Sequence, residues 1–144
     1  ASDVYKRQAR IELENGVKVG AIAVVNALGD IYDPETGELV AAANMDGKLT
    51  PCMDSAALGQ AAFGNTTIGV VATNAKLTRE EANKLASMAH DGLAMTIRPV
   101  HTSLDGDTFF AMSTGERECE LLPVLVAGVR AVSAAILDAV RSAE

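Results

Sequence analysis

The sequence predicts an α/β fold, and three observations carry that prediction. Residues 19–25, "VGAIAVV", form a nearly unbroken run of small apolar side chains, the pattern of a strand covered on both faces. Residues 66–74, "TTIGVVATN", repeat that pattern. Directly after it, Thr78 and Glu81 stand at the N-cap and N3 positions of a capping box. Ala82, Leu85, Ala89, Leu93 and Ile97 then recur at helical spacing. A length of 144 residues suits a single domain with a real core. Much of the apolar content is Ala and Val, with no Trp, which suits close packing of helices on a sheet.

Each element can be justified in order. "ASDVYKRQ", residues 1–8, has mixed charge and no periodicity; it reads as a non-native leader and is left out of the fold. The first strand closes at Asn26. "DPETGEL" is a turn, because Pro34 fixes φ and Gly37 tolerates a positive φ. Residues 39–43 suit a short returning strand. Residues 44–65 are the loosest part, with Gly47, Pro51, Gly59 and Gly64, a short helix near 54–62, and a natural place for a chain break.

After the second strand and its helix, Pro99 stops the helix and "HTSLDGD" forms a polar loop. "TFFAMST" is a third strand, and Gly115 with residues 116–120 is a connector. Leu121, Leu125, Val129, Val132, Ile136 and Val140 mark a final amphipathic helix. Both long helices can cover one face of a sheet. The other face needs a cover as well, expected from an absent N-terminal half or another subunit.

A net charge of −7 argues against a nucleic-acid surface. No window is expected to approach a membrane span, and no signal peptide is visible. Cys52 and Cys119 lack metal-type spacing and read as inert, reduced thiols, which fits a cytoplasmic protein.

"GNTTIGVVATNAKLT" places two hydroxyls, Thr66 and Thr67, at the mouth of an apolar strand behind Gly64-Asn65. In the plainest reading these are β-prone residues after a turn. In the sharper one Thr66 is a nucleophile. A Thr hydroxyl needs a base, and its own α-amine can serve once the Asn65–Thr66 bond has been cut. Asn26 ends its strand, where a side-chain amide can donate to an oxyanion; it also reads as a turn residue before Gly29. "DGD" sets Asp105 and Asp107 around a glycine, able to orient an ammonium group or to cap an Asx-type turn; without further ligands the pair makes no metal site. His90 and His101 invite a triad with Ser103 or Ser113, but no nucleophile elbow accompanies them. No glycine-rich phosphate loop sits between a strand and a helix.

"VGAIAVVNALGD", "NTTIGVVATNAKLT", "MAHDGLAMTIRPVHTSLDGDTFFAMSTG" and the closing Val/Ala helix together resemble the L-aminopeptidase/D-esterase family (DmpA-type, including β-peptidyl aminopeptidases). The resemblance runs from about Val17 onward and covers the C-terminal part of such proteins. It implies a layered α-β-β-α fold like that of N-terminal-nucleophile hydrolases, here an incomplete part of it, and a precursor that cuts itself in two. Residues 9–65 would then end the first chain and residues 66–144 would form the second.

Thr66 matches the nucleophile position, where well-known members carry Ser. Asn26 matches the oxyanion donor. Asp107 matches a carboxylate near the nucleophile, and Asp105 replaces a hydroxyl residue of some members. Thr67 joins Asp105 as support. The activity implied is removal of an N-terminal residue from a small peptide, amide or ester, with no metal or organic cofactor. The implied partners are the missing N-terminal half and identical subunits in a homo-oligomer, with no nucleic acid and no membrane. Family members are roughly twice this long, so the implied activity is expected of the complete protein and not of this piece alone. Two alternatives remain: an acyltransferase of the ornithine acetyltransferase type, similar in fold and self-cut Thr, and a non-catalytic fragment serving as an oligomerisation module.

Overall fold

A computed structural model describes residues 5–45, 48–52 and 65–142. In chain order the elements are β1 (Tyr5–Glu12), β2 (Lys18–Asn26), β3 (Asp30–Tyr32), β4 (Leu39–Ala41), β5 (Ala43–Met45), β6 (Lys48–Thr50), β7 (Thr66–Ala75), α1 (Arg79–Thr96), β8 (Ile97–Arg98), β9 (Thr108–Arg117) and α2 (Leu121–Arg141). The main sheet has the order β1-β2-β7-β9. β1, β2 and β7 run antiparallel, whereas β9 lies parallel to β7. A parallel neighbour needs a crossover, and α1 supplies it.

Alternation along the strands decides what faces what. In β7 the odd-numbered Thr67, Val71, Thr73 and Ala75 are buried, while Ile68 and Ala72 are exposed. β2 follows suit, with Val19, Ala21, Ala23 and Val25 buried. The buried face packs on α1 and α2, whose Leu85, Leu93, Val124, Val132 and Ile136 are fully enclosed. Burying one such side chain is worth about 1.5–3 kcal/mol, so these few contacts fix the helices on the sheet. The opposite face is open: Ile22, Ile68, Phe110 and Met112 lie there between 47% and 63% exposed.

α1 begins as its sequence requires. Thr78 Oγ1 accepts the Glu81 N–H at 3.2 Å, and Glu81 Oε2 accepts the Thr78 N–H at 2.8 Å. The 33–38 turn also forms as read. Asp33 accepts the Glu35 N–H at 2.9 Å, and Gly37 has φ +75°.

Several expectations need correction. Residues 5–8, set aside as a leader, lie in β1 and pair with β2 from Tyr5 opposite Val25. An antiparallel edge is held by backbone hydrogen bonds, so it needs no side-chain periodicity. Ile97 continues the apolar stripe but not the helix; it is extended and pairs with Ile31. Arg98, the residue before Pro99, is likewise strand, consistent with the restraint proline places on its predecessor. Gly115, Glu116 and Arg117 belong to β9, not to the connector. Residues 39–43 divide between β4, paired with β3, and β5, paired with β6. α2 is long and apolar enough to cross a membrane by length and composition, contrary to the expectation that no window would be. Gly128 and Arg130 interrupt the run without making it polar, and half of this helix is buried against the sheet and α1. The helix expected near 54–62 lies outside the described residues.

Candidate active site

The β2–β7 register sets Thr66 directly opposite Asn26. Residues paired in this way share a face with Cβ atoms about 4.5–5.5 Å apart. That face is the open one, because both positions are even-numbered on their strands. Thr67 turns the other way and is 1% exposed.

Thr66 Oγ1 donates to the carbonyl oxygen of Asn65 at 2.6 Å. The same oxygen accepts the Gly106 N–H at 3.3 Å. A parallel bridge between Asn65 and Asp105 brings the "DGD" loop alongside. The loop approaches closely: a methyl group at Gly106 would stand 3.0 Å from Thr66 Oγ1.

The two carboxylates of that loop part company. Asp105 Oδ2 accepts both the N–H and the hydroxyl of Thr102, each at 2.8 Å, which is the turn-capping use of its side chain. Asp107 passes beneath β7, and its Oδ1 accepts the Thr67 N–H at 2.8 Å. The hydrogen bond of Asp107 is therefore to Thr67, the residue after Thr66. Its side chain is 5% exposed, and its Oδ2 lies 2.9 Å from His101 Nδ1. Oδ2 has no partner in aligned hydrogen-bond geometry, and neither has the buried Thr67 hydroxyl.

Histidine enters the site by a route that sequence reasoning missed. His101 stands beside Asp107, and the His90 ring of α1 lies 4.9 Å from it and 5.7 Å from Phe109. Burial, and then the charge of His101, pushes the His90 pKa down. Among the described residues no triad with Ser103 or Ser113 forms; Ser113 Oγ instead donates to the Ala75 carbonyl. The signal was available in spacing: His101 and Asp107 bound one short loop.

Cys52 and Cys119 are in no disulfide, and burial above all pushes both thiols up, which is unsuited to a nucleophile. Among the described residues no group of three or more His, Cys, Asp or Glu side chains could hold a metal ion. Two of the roomier clefts measure about 480 and about 900 Å³; the first runs past Asp33, Ser133 and Arg141, the second along the open sheet past Ile22, Val70 and Met112. Neither is lined by Thr66, Asn26 or Asp107.

Comparison with known proteins supplies the lineage. The chain is 48% identical over 119 residues to an uncharacterized aminopeptidase of Mycobacterium tuberculosis, covering 74% of this chain and 34% of that protein. A 6-aminohexanoate-oligomer endohydrolase of Kocuria is 32% identical over 136 residues, covering 88% of this chain and 38% of the relative. The chain thus spans little more than a third of the length of these two curated relatives.

Among solved structures, a Burkholderia beta-aminopeptidase superposes with a TM-score of 0.68 at 21% identity, over 95% of this chain and 41% of that one. The L-aminopeptidase D-Ala-esterase/amidase of Ochrobactrum anthropi, described as a variant of the Ntn-hydrolase fold, superposes with a TM-score of 0.60 at 19% identity, over 99% and 41%. The fold is therefore part of an Ntn-hydrolase-type domain. The model of peptidase family S58 matches residues 1–144, and the chain belongs to that family.

Proposed function

We propose that this chain carries the nucleophile of a self-processing aminopeptidase, with Thr66 as that nucleophile and Asn65–Thr66 as the scissile bond. One observation carries the reading: the Thr66 hydroxyl already rests on the carbonyl it would have to attack. In processing, Oγ1 bonds to the Asn65 carbonyl carbon, the C–N bond breaks, and the hydroxyl proton passes to the departing nitrogen. Water then hydrolyses the ester, freeing the Asn65 carboxylate and restoring the hydroxyl. The Gly106 N–H stands where it would steady the developing oxyanion.

The new α-amine titrates near 7.7–8.0 when unperturbed, so about neutral pH it can accept the hydroxyl proton. In turnover Oγ1 attacks the substrate carbonyl, the amine takes the proton, and it then delivers it to the leaving amine. Water releases the acyl group. Asn26, opposite Thr66, supplies an oxyanion donor. Asp107 anchors the start of β7 through Thr67 and so holds the nucleophile in place.

The substrate class is a small peptide, amide or ester with a free N-terminal residue. The kinship with 6-aminohexanoate-oligomer endohydrolases favours a second substrate class, internal amide bonds of a linear oligomer. We place the enzyme in the cytoplasm as a homo-oligomer. In the complete protein a further layer covers Ile22, Ile68, Phe110 and Met112.

The test uses a full-length protein carrying this sequence. Intact mass after incubation should reveal two chains, the second beginning at Thr66, and aminoacyl amides should be hydrolysed. Thr66→Ala should remain uncut and inactive. Cleavage in that variant, or turnover by an uncut wild type, overturns the mechanism.

A further inference from the structure

We infer that His101 is a positioning residue for the nucleophile, acting through Asp107 from beneath the sheet. The inference rests on the reading of Thr66 as nucleophile. Three observations support it.

The first is a need. Asp107 is almost enclosed, and its two oxygens are unequally served. Oδ1 takes the Thr67 N–H, but Oδ2 has no aligned donor. A buried carboxylate oxygen left without a donor is costly, so the nearest available N–H matters. That group is His101 Nδ1, at 2.9 Å. Contacts of this kind are often poorly aligned before substrate binds and tighten afterwards.

The second is backbone conformation. His101 has φ +55° and is the only non-glycine residue at positive φ among the described residues. Few non-glycine residues adopt that region, though histidine enters it more readily than most, and those that do concentrate where the surroundings hold them. Here the conformation carries the ring from an otherwise polar loop back over Asp107.

The third is containment. His90 from α1 lies against the imidazole, and Phe109 from β9 backs the His90 ring in turn. The groups facing it are therefore Asp107 from the loop before β9 and His90 from α1, with Asp91 near His90. Together these form a relay of contact: His101 to Asp107, Asp107 to the Thr67 N–H, and Thr67 to the nucleophile bonded before it. Movement of Asp107 would shift the start of β7, and a displacement near 1 Å can cost about 100-fold in rate.

The test separates the N–H donor from the backbone. His101→Asn and His101→Gly both tolerate positive φ, but only Asn retains a side-chain N–H. In the full-length protein, His101→Gly should lower kcat by about 10-fold or more with KM little changed, and His101→Asn should recover most of the loss. Thermal midpoints of both variants report on folding. Should the glycine variant fail to fold, His101→Asp gives a second donor-free side chain at the same φ, expected to be at least as impaired. Equal impairment of the Asn and donor-free variants, or wild-type kcat in either donor-free variant, overturns the role. Thr66→Ala distinguishes the two failures. If it is inactive while His101→Gly is unaffected, only the positioning role falls. If it is active, the nucleophile reading falls and takes His101 with it.

Discussion

Gly106 and Thr66 touch so closely that a single added methyl on the first would press to 3.0 Å on the hydroxyl of the second. Gly106 is exposed and has no positive φ that would forbid a side chain, so its backbone can accept alanine. The cost should fall on chemistry, not on folding. Gly106→Ala is expected to slow both self-cleavage and turnover by about 10-fold or more, with an unchanged thermal midpoint. Mass spectrometry of the precursor and steady-state kinetics check this; unaltered rates would show that the loop yields freely.

A different glycine holds the two helices together. A Cβ at Gly92 would meet the Val129 carbonyl oxygen at 2.7 Å and Val132 Cβ at 2.9 Å. Gly92→Ala gains up to about 1 kcal/mol of helix propensity but pays roughly 1–3 kcal/mol for overpacking. Chemical denaturation should therefore give a net loss of stability. A gain would mean that α1 can slide away from α2 at no cost.

The pKa of His90 is held below its ordinary 6.5, by burial first and then by the charge of His101, against the opposing pull of Asp107 and Asp91. The sign follows from proton linkage. The folded state binds fewer protons than the unfolded chain in the window below 6.5, so stability is complete above that pH and falls as pH drops through the folded value. Denaturation midpoints at pH 7.5 and 5 should therefore differ more in the wild type than in His90→Gln. Identical differences would remove His90 as a source of acid sensitivity.

Much of the frame was legible because its signals are local. Runs of small apolar residues marked β2 and β7, Thr78 and Glu81 marked the start of α1, and the stripe from Leu121 marked α2. β8 is two residues long and exists only through β3, far upstream, while β3 and β6 are three-residue arms of short pairings with β4 and β5, so no periodicity announces them. The same division runs through the site. Thr66 and Asn26 could be singled out because each ends an apolar strand, and the register then sets them face to face. The separate duties of Asp105 and Asp107 were not legible, since a carboxylate that caps its own turn and one that reaches 40 residues back to Thr67 look alike in "DGD". The pairing of His101 with Asp107 was missed because it is recognised by geometry and not by a motif.

Thr66 and Thr67 are neighbours along the chain, yet the pleat sends their side chains to opposite sides of the sheet. On the proposed reading, reaction and reinforcement thus occupy separate storeys of one building. Residues that choose a substrate can change upstairs without disturbing the footing below. A deletion of one residue in β7 would exchange the storeys and leave the hydroxyl in the cellar.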